Sequence, residues 1–182
     1  MNIFLVPAPP ENIRMTLVGQ VDFERAAKYL DDETADDLVA TLGGRFPFHC
    51  FATTEGNRRR YERMHPHDEL LFAETGTGHF TWRGQVKTKF ENDRLGGDLW
   101  PSSGNTGIQK SRGNKPWRLI YVVDEIEKIQ LDKHRALQAF GFKTPRDELG
   151  GLRRVPDHTT NRLIAAYGTV DGILSAINKG MI

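Results

Sequence analysis

The sequence predicts an α+β fold in which about five or six short strands form a curved, partly closed β-barrel flanked by helices. Three observations lead there. The segments Glu69–Glu74 (ELLFAE) and His79–Lys89 are short and rich in Phe, Trp, Val and Thr, and the turn between them holds Gly76 and Gly78; this is the composition of two paired strands. Leu119–Val123 (LIYVV) is a continuous apolar run suited to a buried strand. Apolar residues recur at helical spacing before and after these strands, at Ala26, Ala27 and Leu30, and again at Leu163, Ile164 and Tyr167 and at Val170, Ile173, Leu174 and Ile177. Short strands broken by glycine-rich turns favour a curved sheet over a flat one. A doubly wound fold lacks support because no GxGxxG phosphate loop is present.

Taken in order, Ile3–Pro9 (IFLVPAP) is a β-branched and aromatic run that Pro7, Pro9 and Pro10 stop, so it reads as a strand that cannot extend further. Met15–Gln20 (MTLVGQ) reads as another short strand. A helix capped near Asp22 follows, then a second over Glu33–Leu42, closed by Gly43 and Gly44. Phe46–Ala52 (FPFHCFA) is an aromatic strand whose period of two slips at Cys50 and Phe51. A polar loop then leads through Arg58, Arg59 and Arg60 to the ELLFAE strand. Pro101–Lys115 is a long Gly-, Ser- and Asn-rich loop, a kind that is more often functional than merely connecting. Leu131–Phe140 is helical and closed by Gly141, and Thr159–Met181 reads as two helical pieces separated by Gly168. The whole reads as one domain, 1–182, with a core over about 45–127 and a helical extension over about 131–182.

At 182 residues and a formal net charge of +1, the chain can bury a real core and has no global basic excess, so any nucleic-acid surface must be a local patch. The single cysteine, Cys50, excludes an internal disulfide framework and fits a reducing compartment, and its neighbours Phe48 and Phe51 suit a small packing residue rather than a nucleophile. No apolar run reaches the roughly 20 residues a membrane span needs, and a cytoplasmic protein is expected.

Two constellations remain once the elements are placed. Phe51, Tyr61, Phe80, Trp82 and Trp100 lie on or beside loops, where rings are not required for a core. A base offers a flat π face, and stacking on a ring is worth about 1–3 kcal/mol. Trp82 and Trp100 are the two chosen as walls of a base pocket; burial in the core is the alternative for each, and Trp117 is read as core. Cationic residues cluster at Arg58–Arg60, at Lys87 and Lys89, and at Lys110 and Arg112, a separation of charge that suits a face presented to phosphates. His65-Pro66-His67-Asp68 could suggest zinc, but the lack of a second cluster argues against it, and Asp68 is better read as the acid that opens a strand. No nucleophile elbow, metalloprotease helix or P-loop is present, so no catalytic residue is assigned.

The order HPHDELLFAE, FTWRGQVKTKFENDRLGGDLWP, PWRLIYVVDEI, with LGGLRRV further on, resembles the EVE and YTH-like branch of the PUA superfamily. It is most similar to the DNA-reading domain at the N-terminus of modification-dependent restriction endonucleases. His67-Asp68 stands where that family opens its strand with Gly-Asp. The resemblance implies a PUA-like reader that flips a modified base, 5-methylcytosine or 5-hydroxymethylcytosine, out of duplex DNA into an aromatic cage. It implies Trp82 and Trp100 as the sandwich, with Phe51, Tyr61 and Phe80 beside them and Asn92 or Asp98 on the base edge. Arg58, Arg59, Arg60, Lys87, Lys89, Lys110 and Arg112 would contact phosphates. No cofactor, metal or membrane is expected, and a nuclease domain or subunit is the implied partner. An RNA or N6-methyladenine reader and a small metal-dependent hydrolase using His65, His67 and Asp68 are the alternatives.

Overall fold

A computed structural model describes residues 1–101, 117–143 and 149–182. Six strands form one sheet in the order β2-β5-β4-β3-β1-β6. They are β1 (Ile3–Ala8), β2 (His49–Thr53), β3 (Glu69–Glu74), β4 (His79–Glu91), β5 (Leu119–Asp132) and β6 (Arg153–Arg154). With helices at both ends of the chain, this is the α+β class that the pattern predicts. The chain divides into two compact units, Met1–Pro9, Asp68–Gly84 and Glu125–Ile182 in the first, Pro10–His67 and Gln85–Asp124 in the second.

The first unit is built on β1, which runs parallel to β3 from Ile3↔Glu69 to Ala8↔Glu74 and antiparallel to β6 at Phe4↔Arg154 and Leu5↔Arg153. β1 ends at Ala8, within the run expected to form it, and takes Pro7 inside the strand. Its β6 partner covers only Phe4 and Leu5, so Pro7 lies where one edge has no partner among the described residues, and a missing N–H costs nothing there. The β3–β4 turn places Gly76 and Gly78 at φ 88° and 70°, left-handed positions that glycine takes without strain. Helices α6 (Lys133–Ala139), α7 (Asp157–Tyr167) and α8 (Val170–Asn178) follow, with Gly168 between the last two at φ 78°. Their apolar faces join Ile3, Leu5, Leu71 and Phe80 in one core that includes Phe140 and Ile173.

Polar ties close this unit. Asp68 is buried, and its carboxylate accepts from Asn2 N at 2.6 Å and from Asn2 Nδ2 at 2.9 and 3.0 Å, so the acid that opens β3 serves the fold. Arg83 of β4 grips Glu127 of β5, with Nη2 to Oε2 at 2.6 Å, and Asp171 of α8. Glu69 beside them is 3% exposed. Burial pushes its carboxyl up to about 7 against the partial relief of Arg83, with Asp171, Glu125 and Glu127 adding to the rise.

In the second unit α1 (Pro10–Asn12) continues into a π-helix, Ile13–Val18. The strand expected at Met15–Gln20 is therefore absent. Ile13, Thr16 and Leu17 turn inward at helical spacing, and that spacing overrides the β-branched composition. Helix α2 (Phe23–Ala27) is capped by Asp22, which accepts from Arg25 N, and α3 (Asp32–Leu42) ends on left-handed Gly43. β2 pairs with β5 in register from His49↔Val123 to Thr53↔Leu119. The arginine-rich loop contains a short helix, α4 (Arg58–Glu62), and the DRLGGDL segment is helix α5 (Asp93–Leu99). Cys50 is fully buried among Phe48, Ala52 and Ile120, and burial pushes its thiol far up. It packs as a small apolar residue.

Candidate functional site

The second unit carries a group of four aromatic side chains. Phe51 on β2 faces Tyr121 across the β2–β5 register, with ring centroids 6.2 Å apart. Phe51 also meets Trp117 edge-on at 5.8 Å and Trp100 at 6.4 Å, both at 61°. Trp100 and Trp117 lie 6.3 Å apart, tilted 34°. Phe51, Trp100 and Tyr121 are buried, at 1%, 3% and 0% exposure, while Trp117 is only partly buried.

The sequence builds this arrangement through α5. Asn92 caps the helix by accepting from Leu95 N at 2.8 Å, and its Nδ2 donates to Tyr29 O at 2.8 Å. Gly96, one turn on, is where the helix touches the backbone just before β5: a Cβ there would lie 2.3 Å from the Trp117 carbonyl oxygen. Only glycine permits that approach. Trp100 N then donates to Gly96 O and ends the helix, which sets the second indole against the first. Gly96→Ala must push α5 off the Trp117–Arg118 backbone. We expect it to lower stability by about 1–3 kcal/mol and to change the tryptophan fluorescence spectrum of the folded protein, both measured in one urea titration.

Several residues expected at the site have other work. Phe80 is fully buried in the core of the first unit, because its place on β4 turns it inward. Tyr61 is 3% exposed; its phenol is shared between the Phe90 and Ile120 carbonyls at 2.9 and 3.1 Å, so it braces the fold. Asn92 spends its side chain on the α5 cap and the Tyr29 carbonyl, and Asp98 accepts from Arg25 Nε at 2.8 Å. Trp82 is partly buried on β4 in the first unit, and the ring contacts of Trp100 described here are to Phe51 and Trp117.

The basic set divides in the same way. Arg58 is locked in a bidentate pair with Glu91, at 2.7 and 2.8 Å, and also bonds Glu55. Hydrogen bonds from Arg58 are the main reason both carboxyls sit below their ordinary range. Lys89 Nζ donates to Tyr61 O and Glu62 O, both at 2.9 Å, and lies over the Tyr61 ring. Lys87 stands 3.6 Å from Asp124. Arg59 and Arg60 are exposed on α4 and make no ion pair among the described residues. Lys110 and Arg112 lie outside the described residues. No group of three or more His, Cys, Asp or Glu side chains among the described residues is placed to hold a metal, and no helix among them is long and apolar enough to cross a membrane.

No protein-family model matches the sequence, and no curated protein matches it. Among solved structures, the N-terminal domain of McrB from Thermococcus gammatolerans, bound to m5C DNA, matches with a TM-score of 0.59 and 11% identity over 91% of this chain and 96% of that one. The YTH domain of Zygosaccharomyces rouxii MRB1, in complex with N6-methyladenosine RNA, matches at 0.44 and 11% over 92% and 85%. A ZmASCH protein from Zymomonas mobilis matches at 0.46 and 9% over 90% and 95%. This chain has the fold of the McrB N-terminal domain, with the α+β class and the six strands that the sequence leads one to expect.

Proposed function

We propose that this chain reads modified DNA, taking a 5-methylcytosine or 5-hydroxymethylcytosine out of the duplex and holding it against Trp100 and Trp117 over the Phe51 ring. The observation that carries this reading is the aromatic group itself, with one indole still partly open, on a fold that a domain bound to m5C DNA shares. A stacked base is about 3.4 Å thick, the axial rise per nucleotide, so two flanking rings need roughly 7 Å between them. The two indoles stand 6.3 Å apart at their centroids and are tilted by 34°, so they must part and align for a base to enter between them. Extrusion costs a few kcal/mol, which stacking and phosphate contacts offset. A methyl group buried in the cage adds ~0.8 kcal/mol, about fourfold in affinity.

The modification-dependent restriction role follows as part of the same proposal: this chain supplies specificity, and a nuclease in another domain or subunit supplies cleavage. The test is fluorescence anisotropy with matched duplexes carrying cytosine, 5-methylcytosine, 5-hydroxymethylcytosine or N6-methyladenine, and with single-stranded RNA carrying N6-methyladenine. A preference of fourfold or more for a modified cytosine supports the reading. Equal affinity for all duplexes, or a preference for the RNA, sinks it. Trp82→Ala belongs in the same series, since a loss of preference there assigns the third tryptophan to the reader.

Arg59 and Arg60 are proposed to contact phosphate. Each neutralised phosphate contributes about 0.9 to the slope of log affinity against log salt. The double change Arg59→Gln and Arg60→Gln should flatten that slope by about 2 and weaken modified and plain duplexes alike. A change in the ratio between the two would place these arginines on the base instead.

A further inference from the structure

The residue after Trp117 is Arg118, and its side chain is turned back onto the start of α5. Nε stands 3.1 Å from Asp93 Oδ1, an ion pair rather than an aligned hydrogen bond, and Nη2 donates to Glu91 Oε2 at 3.2 Å. The backbone takes part as well, since Arg118 O accepts from Asn92 N at 3.0 Å. Glu91 is also the partner of Arg58, which bonds Glu55, so the tie is one corner of a network rather than a lone surface pair. Asp93 opens the helix that Trp100 closes. That helix has seven residues, about 10 Å at 1.5 Å per residue, so fixing its first residue limits the swing of its last. The guanidinium beside one indole thus holds the opposite end of the short element that carries the other. The two rings meet at 6.3 Å and 34°, and that spacing and tilt are what an entering base has to change.

We infer that Arg118 is a positioning residue of the aromatic group: by clamping α5 through Asp93 and Glu91 it sets how Trp100 stands against Trp117, and through that the preference for a modified base. The effect on binding rests on the nucleobase reading above, whereas the effect on the ring pair belongs to the protein alone. Gly96 supplies the steric half of the arrangement, fixing how near α5 comes to the Trp117–Arg118 backbone. Arg118 supplies the electrostatic half. A direct contact from this partly exposed arginine to phosphate is the rival reading, and it predicts a different sign. On that reading, removing the guanidinium weakens binding, while neutralising Asp93 beside it strengthens binding by relieving repulsion of the phosphate. A clamp is lost from either side, so both changes act in one direction.

The experiment compares wild type, Arg118→Met, Asp93→Asn, the double change and Arg118→Lys in the full 182-residue chain. Each is measured by near-UV circular dichroism of the free protein, by its urea midpoint, and by anisotropy with plain and 5-methylcytosine duplexes. Methionine keeps the apolar stem and drops the charge. Each single change should lower the ratio of modified to plain affinity by about fivefold, the upper end for an exposed ion pair. The double change should add little to either, as expected of two partners in one contact. All three should alter the near-UV signal of the paired indoles before any DNA is added, and Arg118→Lys should retain part of the wild-type signal and ratio. Opposite signs for Arg118→Met and Asp93→Asn, with a salt slope flatter by about 0.9 in the first, would make Arg118 a phosphate contact and overturn the inference. A lower urea midpoint with spectrum and ratio unchanged would overturn it too, since that is the mark of a pair that only stabilises. If wild type itself shows no preference, the nucleobase reading has failed. The spectra of the free proteins then decide the clamp by themselves: altered spectra keep it, and unchanged spectra end it.

Discussion

Trp117→Ala should leave a folded protein that has lost about 5- to 150-fold of its affinity for a modified duplex, the equivalent of about 1–3 kcal/mol of stacking. The indole is only partly buried, two residues before β5, and packs against the edge of a hydrophobic cluster. Its removal therefore creates less of a cavity than the loss of a sealed side chain. Trp100 makes the comparison: at 3% exposure, Trp100→Ala should destabilise the fold by about 3–5 kcal/mol, so any loss of binding would be confounded with unfolding. Trp100→Phe keeps much of the volume and is the variant to use. Titration calorimetry with each variant, beside its urea midpoint, separates the two effects. If Trp117→Ala binds modified DNA as wild type does, the aromatic group is only a core.

A second large effect concerns pH. Glu69 has a folded-state carboxyl near 7, against an ordinary value of 4.5 in the unfolded chain. The folded state therefore binds this proton more tightly, and stability from this group is greatest below about pH 4.5 and is lost as pH rises through 7. The difference is worth ~3 kcal/mol at its full extent. Glu69→Gln mimics the protonated form, so it should raise the melting temperature at pH 8 and remove the decline between pH 5 and 8. Arg83, Asp171, Glu125 and Glu127 face Glu69, and Arg83→Met should steepen the decline by removing the one favourable charge. The depressed carboxyls of Asp31, Glu55 and Glu91 act in the opposite sense at lower pH, where protonation costs stability. A flat wild-type profile from pH 5 to 8 would falsify the assignment.

The sequence is most informative where local rules act alone. The Asp22 cap, the Gly43 terminator, the Gly76 and Gly78 turn and the Gly168 break each depend on a few adjacent residues, and each stands where the pattern puts it. The Ile3–Pro9 run is met by β1, but how the strand carries Pro7 depends on β6, whose residues lie far along the chain. Met15–Gln20 misleads because β-branched composition outweighs, on inspection, the inward spacing of Ile13, Thr16 and Leu17. At the candidate site, ring-rich composition points to the stretch that holds Phe51 and Trp100, but composition does not say which rings face which. Trp117 looks like core because a buried strand follows it, and Gly96 looks like one loop glycine among several. Its role appears only once the Trp117 carbonyl is placed beside it. Arg58 and Lys89 read as free cations until Glu91 and the Tyr61 and Glu62 carbonyls are found to hold them.

The position of β1 between β3 and β6 sets a timetable for biosynthesis. The strand made first gains its second neighbour only when Arg153 and Arg154 have left the ribosome, at ordinary synthesis rates a wait on the order of ten seconds. Through that interval the nascent ribbon shows an unpaired backbone edge and an apolar face. A chain shortened before Arg153 would keep that edge permanently and would also lose the core residues Leu163, Ile173 and Ile177, so such a truncation should both melt lower and associate edge to edge during expression.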